Sequence, residues 1–176
     1  MERAPNATAV GNAAIALLEQ CATFIQSLPE TVYTADATTI RGGTIGKHVR
    51  HSLDHFAAAL AGLSGSDPID YDHRARNVPM ETERATALGA IRSIQAQIAS
   101  LDGERMSSPV QIRVMLTSGG DDAVLPSTLV RELAFATHHA IHHNAMMKTI
   151  AAEFGLEVGD EFGKAPSTIN FETARR

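Results

Sequence analysis

The amino-acid sequence predicts an all-α fold, a four-helix bundle with a small β-hairpin inserted between the third and fourth helices. Four long segments carry apolar residues at helical spacing, and one short segment alternates between apolar and polar residues. Hydrophobic residues make up 44% of the chain, while aromatic residues make up only 5%, a composition that suits closely packed helices. A chain of 176 residues can bury one core, so residues 1–176 are predicted to form a single domain.

The first two helices are predicted from apolar periodicity and from residues that start or stop a helix. Helix one is expected over residues 8–28, where Pro29 ends it. Helix two is expected over residues 44–63, with Thr44 as its N-cap.

The second half of the chain is predicted to hold two more helices. Helix three is expected over residues 80–101, and the Asp-Gly pair that follows ends it. Helix four is expected over residues 127–154, with Ser127 as its cap and Gly155 as its stop.

The hairpin is predicted between helices three and four. Residues 110–116 alternate as a strand, a Gly-Gly turn follows, and residues 123–125 return as a short second strand that Pro126 ends. The tail over residues 156–176 shows little periodicity and is expected to be irregular and to wrap the outside.

Composition and charge indicate which partners and which cellular location to expect. The net charge is −5 and the sequence pI is near 5.9, which argues against nucleic acid as a partner, because phosphate binding needs clustered Lys and Arg. The sequence shows no secretory leader and no obvious membrane span, and it has one cysteine, Cys21, which we interpret as a buried, inert thiol. These features predict a cytoplasmic protein with no membrane partner.

Four histidines lie within six residues of predicted helix four. Residues four apart share a helix face, so His138 pairs with His142 and His139 pairs with His143. The second pair lies near the apolar stripe of the helix and is therefore predicted to point inward. Such a pair can bind one metal ion; the alternative is two core histidines bonded to protein groups.

Predicted helix two carries three more histidines on one flank, at positions 48, 51 and 55. The helical phase of this flank favours His48 or His55 over His51 as the residue that points inward.

The segments at residues 44–54 and 139–144 resemble the two histidine motifs of the DinB/YfiT-like family of metalloenzymes. The resemblance implies a usually dimeric DinB-like four-helix bundle in which three histidines bind a divalent metal ion. Carried over by position, these ligands are His51, His139 and His143. The reserve or neighbouring positions are His48, His55 and His142.

The resemblance also implies a reaction class. Three imidazoles suit zinc first, with nickel, iron or manganese as further options, and they leave a coordination position open. The expected function is activation of a thiol or of water for attack on a small electrophile, as in a thiol S-transferase or a hydrolase, with a low-molecular-weight thiol as a candidate substrate. The alternative is a non-catalytic metal-binding or dimerising bundle.

Three further residues are candidates on weaker grounds. Asp54 is a candidate base or acceptor beside the histidines, or else a plain surface aspartate. Arg74 and Arg76 belong to a polar connection that is either a solvated turn or a strap over a pocket, where they would face an anionic substrate group.

Overall fold

The computed structural model describes residues 5–65, 67–73 and 78–175. It contains four long helices, α1 (Pro5–Ser27), α3 (Ile45–Ala61), α4 (Arg84–Ala99) and α6 (Leu129–Glu153). Three short helices accompany them, α2 (Glu30–Tyr33), α5 (Gly103–Met106) and α7 (Pro166–Thr173), and a 3₁₀ turn covers Pro79–Glu81. The helix α7 lies in the tail that was expected to be irregular, and its Pro166 at the first turn is a favourable helix start.

The long helices pack around one apolar core. Helix α1 contacts α4 and α6, and α3 contacts α4 and α6. Each of the four helices contributes side chains with almost no exposed surface, including Ile25, Leu53, Ile91, Leu133 and Met147. The packing of these apolar faces, more than helix propensity, stabilises the arrangement.

Of three residues predicted to cap or end a helix, two are confirmed and one is wrong. The Thr44 hydroxyl accepts a hydrogen bond from the Lys47 amide at 3.1 Å, so the predicted cap of helix two is confirmed. Gly155 adopts a φ of 72° directly after α6, a conformation that favours glycine and ends the helix. The predicted cap at Ser127 is wrong, because Thr128 caps α6 instead.

The strands form a small three-stranded sheet in the order β1-β2-β3. Strand β2 (Pro109–Met115) pairs antiparallel with β3 (Asp122–Thr128), and the short β1 (Ile69–Asp70) adds to β2 in parallel. Strand β1 was not predicted, because two residues are too few to show periodicity. Pro126 lies within β3 and does not end it, which an edge strand tolerates because one side of its backbone needs no partner.

The first helix is strongly apolar, although no membrane span is predicted from the sequence. Its segment Ala7–Ser27 is long and apolar enough to cross a membrane by length and composition. In the structure the same helix packs on α4 and α6, with Ala14 and Ile25 fully buried. The cytoplasmic location and the absence of a membrane partner therefore stay predictions.

Candidate metal centre between α3 and α6

Helices α3 and α6 pack against each other and bring five histidines together at their interface. Helix α3 contributes three of them and α6 contributes two, and the five are His48, His51, His55, His139 and His143. The i, i+3 and i, i+4 spacings within each helix place these rings on the facing sides of the two helices.

Three imidazole nitrogens converge at one point. The Nε2 atoms of His139 and His51 are 2.9 Å apart, and those of His143 and His139 are 3.1 Å apart. The potential ligand atoms of all three residues lie within 4.8 Å of one another. Nitrogens bound to one zinc ion in a tetrahedral arrangement are about 3.3 Å apart, since each Zn–N bond is about 2.0–2.1 Å long. The two separations of 2.9 and 3.1 Å are close to what a zinc ion requires.

A fourth ring extends this cluster on the side of His143. The Nδ1 atom of His48 lies 2.9 Å from the Nδ1 atom of His143, so each ring nitrogen of His143 faces another imidazole. Burial, followed by the neighbouring imidazoles, lowers the pKa of His143 to about 3. Burial also lowers the pKa of His48. Both rings are therefore neutral at ordinary pH and have lone pairs to share.

His55 lies beside the cluster and is held by its own contacts. Its Nδ1 atom is 2.9 Å from the carbonyl oxygen of His51, its ring is 4.1 Å from that of His139, and it stacks on Tyr71 at 5.0 Å. The Tyr71 hydroxyl donates to the carboxylate of Glu132 at 2.7 Å. Burial, and then this bond, raise the pKa of Tyr71.

Glu132 is fully buried and is satisfied by three donors. Besides Tyr71, the Ser127 hydroxyl and the Arg131 guanidinium donate to it. Neither Tyr71 nor Glu132 was a candidate from the sequence. The available signal was that Glu132 falls within the apolar stripe of α6, between Leu129 and Leu133, where an acidic residue needs buried partners.

The remaining candidates have other positions. Asp54 forms a salt bridge with Arg50 at 2.8 Å, and Arg50 also pairs with Glu81 at 2.8 Å. A role of Asp54 as a base or acceptor stays a prediction. His142 is exposed, with its ring 5.5 Å from that of His143. Arg74 and Arg76 lie outside the described residues.

The cluster borders a surface cavity of about 320 Å³. The loop before α3 forms one wall of this cavity, and histidines form its floor. Its lining residues are Ile40, Arg41, Gly42, Gly43, Lys47, His48, His51 and His143.

The comparisons with known proteins give one relative. No family model matches the chain, and no solved structure matches it. The chain is 36% identical over 102 residues to FK506-binding protein 5 from Rhizopus delemar. The match covers 57% of this chain but only 26% of the relative, so the chain spans about a quarter of the relative's length.

This similarity corrects the assignment made from the histidine motifs. The DinB/YfiT-like family is the wrong assignment, because the similarity that is found is to a protein named for FK506 binding. The expected thiol-activating or water-activating transferase or hydrolase, and the DinB-like metalloenzyme description, are wrong on the same finding. The physical reason is that two His-containing helical segments specify a local geometry that unrelated helical proteins can share.

The similarity does not test the grouping of the histidines or the predicted fold class. The three residues His51, His139 and His143 do lie together, but their role as metal ligands stays a prediction. The four-helix bundle with an inserted hairpin also stays a prediction as a fold class.

Proposed function

We propose that the cluster of His51, His139 and His143 binds one divalent metal ion. The observation that carries the proposal is the convergence of three Nε2 atoms, with separations of 2.9 and 3.1 Å along two sides. Three lone pairs at this distance repel one another unless protons or a cation lie between them. A small outward shift of about 0.2–0.4 Å brings the spacing to that of a zinc site.

The chemistry of the donors indicates which ions fit. Three neutral imidazoles suit zinc, nickel, iron and manganese, and zinc is the first choice for a nitrogen-only set. The lowered pKa of His143 favours metal binding, because a proton does not compete for this nitrogen at neutral pH. Three protein ligands leave at least one position for an outside ligand, which the charge of the ion would attract.

The test compares two alanine variants on the same helix. Tag-free protein is stripped with a chelator, reloaded with zinc and analysed for bound metal. Wild type and His138→Ala, whose side chain is exposed, are expected to hold one equivalent. His139→Ala is expected to bind zinc more than about 100-fold more weakly, since even the partners of a ligand are worth roughly 10–100-fold. No saturable uptake by the wild type, or full uptake by His139→Ala, would refute the proposal.

The named relative favours a second candidate function, the binding of FK506 or a similar apolar ligand. A cavity of about 730 Å³ is within the range of roughly 300–1,000 Å³ that drug-sized ligands occupy. It lies between α1 and the segment after α6, away from the histidines. Its apolar lining residues are Phe24, Leu28, Leu156, Val158 and Phe162, with Ala16 at the wall.

Calorimetric titration with FK506 tests this second function. Ala16→Trp would place a bulky ring at the wall of the cavity and is expected to weaken binding strongly. Ala13→Trp places the same side chain at an exposed position of α1 outside the cavity lining, and is expected to bind as the wild type does. If the wild type gives no binding heat at any temperature tested, FK506 is not a ligand of this chain.

A small-molecule ligand and a homodimer remain our predictions for the partners of the chain. Gel filtration with light scattering tests the second of these directly.

A further inference from the structure

His48 has one nitrogen whose hydrogen bond is not accounted for. The residue is 9% exposed, and its Nε2 atom is buried with no hydrogen-bond partner in the part of the chain that the structure describes. Its other nitrogen, Nδ1, faces His143 at 2.9 Å. A buried imidazole nitrogen without a partner costs free energy, so this atom calls for a ligand.

The proposed metal site determines whether this nitrogen of His48 carries a proton. If His143 gives the lone pair of Nε2 to a cation, its proton lies on Nδ1. That proton can only be donated to the Nδ1 lone pair of His48, 2.9 Å away. His48 must then carry its own proton on Nε2. The unpartnered atom is therefore a hydrogen-bond donor, and it needs an acceptor.

The surroundings of this donor are positively charged. A Cβ placed on Gly43 would lie 3.1 Å from His48 Nε2, 2.9 Å from Ile40 Cγ2 and 3.0 Å from the Ile40 carbonyl oxygen, so Gly43 and Ile40 lie close over this donor. Arg41 and Lys47 are exposed on the rim of the same cavity, and no carboxylate is among its described lining residues. Lys47 Nζ donates to the Gly42 carbonyl at 2.8 Å, which holds its ammonium group at this rim. The whole chain has a net charge of −5, so the positive charge around this cavity differs from the charge of the chain as a whole.

We propose that this cavity binds the oxyanion of a small-molecule ligand, a carboxylate or a phosphate, beside the histidine cluster. The oxyanion accepts from His48 Nε2–H and pairs with Arg41 and Lys47. Because Nε2 lies beneath Gly43, binding displaces the loop at residues 40–43 outward by a small amount. The proposal rests on the proposed metal binding, which fixes the proton on His48, and it specifies the ligand class for that site.

The experiment follows His48 by NMR with inorganic phosphate as the probe. Long-range ¹H–¹⁵N spectra of zinc-loaded protein report which nitrogen of His48 carries the proton, and this is expected to be Nε2. Phosphate added at low ionic strength is expected to shift the His48 signals saturably. Arg41→Met and Lys47→Met, which change exposed side chains, are each expected to weaken phosphate binding roughly tenfold and to leave zinc uptake unchanged.

Two comparisons show whether phosphate binding depends on the cationic rim and on the His48 donor. Arg92→Met removes an exposed arginine on α4 outside the cavity lining and is expected to leave phosphate binding unchanged. His48→Gln, which keeps an N–H donor, is expected to retain more phosphate affinity than His48→Leu. Circular dichroism shows whether both variants are folded.

Each outcome decides between the two proposals. Zinc uptake with no phosphate-dependent shift overturns the oxyanion site and leaves metal binding intact. Phosphate binding that is equally strong in Arg41→Met and Lys47→Met places the anion on the metal alone and also overturns the site. A His48 proton on Nδ1 in the zinc-loaded protein overturns the inferred donor. Failure of the wild type to take up zinc overturns both proposals.

Discussion

Replacing Gly46 with alanine tests how closely α3, the helix that carries three site histidines, is held against its neighbours. A Cβ at this position would lie 2.0 Å from the Glu81 carbonyl oxygen and 2.9 Å from the Tyr33 ring. Contacts of a real Cβ below 3.0 Å essentially do not occur, so α3 and the 3₁₀ turn must separate by roughly 1 Å or more. The obstacle is a backbone oxygen, which cannot rotate away as the end of a side chain would.

The expected loss of stability follows from two opposing effects. Overpacking of this kind costs about 1–3 kcal/mol. Alanine recovers up to about 1 kcal/mol through its higher helix propensity. Because backbone has to move, we expect a net loss of about 2 kcal/mol, which lowers Tm by roughly 4–8 °C for a domain of this size.

Thermal unfolding followed by far-UV circular dichroism measures this loss, with Gly89→Ala as the matched control. Gly89 is also inside a helix, but a Cβ there meets only one Arg92 side-chain atom, at 3.9 Å. This control is expected to raise stability by up to about 1 kcal/mol, so the two Gly-to-Ala changes should shift Tm in opposite directions. A Gly46→Ala protein as stable as the wild type would refute the close approach of α3 to the turn.

Three further predictions concern the site and its supports. Zinc at 100 times its Kd is expected to stabilise the wild type and His138→Ala by about 2.7 kcal/mol, or roughly 5–11 °C in Tm, and to leave His143→Ala unchanged in a thermal-shift assay. Tyr71→Phe removes one donor from the buried Glu132 and is expected to lower the free energy of unfolding by about 1–3 kcal/mol in urea titrations; an unchanged midpoint would contradict this. Hydrogen bonds from two loop threonines lower the pKa of Glu153 from 4.5 to about 2, so its contribution to stability is present above pH 4.5 and is lost as the pH falls toward 2. Stability curves over this pH range should therefore be flatter for Glu153→Gln than for the wild type.

Local structure was accessible from the sequence because it depends on residues that are close in the chain. Apolar periodicity located the four long helices to within a few residues, and the cap at Thr44 and the stop at Gly155 were correct. The inward orientation of His139 and His143 also followed, since this pair lies near the apolar stripe of the helix, whereas the exposed pair His138 and His142 does not.

The choice among the α3 histidines needed the tertiary structure. Helical phase alone favoured His48 or His55 over His51 as the inward residue, and His48 and His55 are indeed buried while His51 is half-buried. Even so, it is the Nε2 atom of His51 that lies 2.9 Å from that of His139. The rotation of α3 relative to α6 decides which ring reaches the cluster, and this rotation depends on the packing of both helices. His51 was selected through a family resemblance that the similarity to FK506-binding protein 5 contradicts, so its place in the cluster cannot be credited to the sequence pattern.

The sequence by itself determined where the four long helices lie and which of their faces carry histidines, because those properties repeat with the period of the helix. Only the tertiary structure decided that Asp54 is held by Arg50, that Glu132 is satisfied by Tyr71, and that one nitrogen of His48 is left without a partner among the described residues, beneath a cationic rim. Such contacts depend on how separate segments pack, and no local pattern encodes the distance between them.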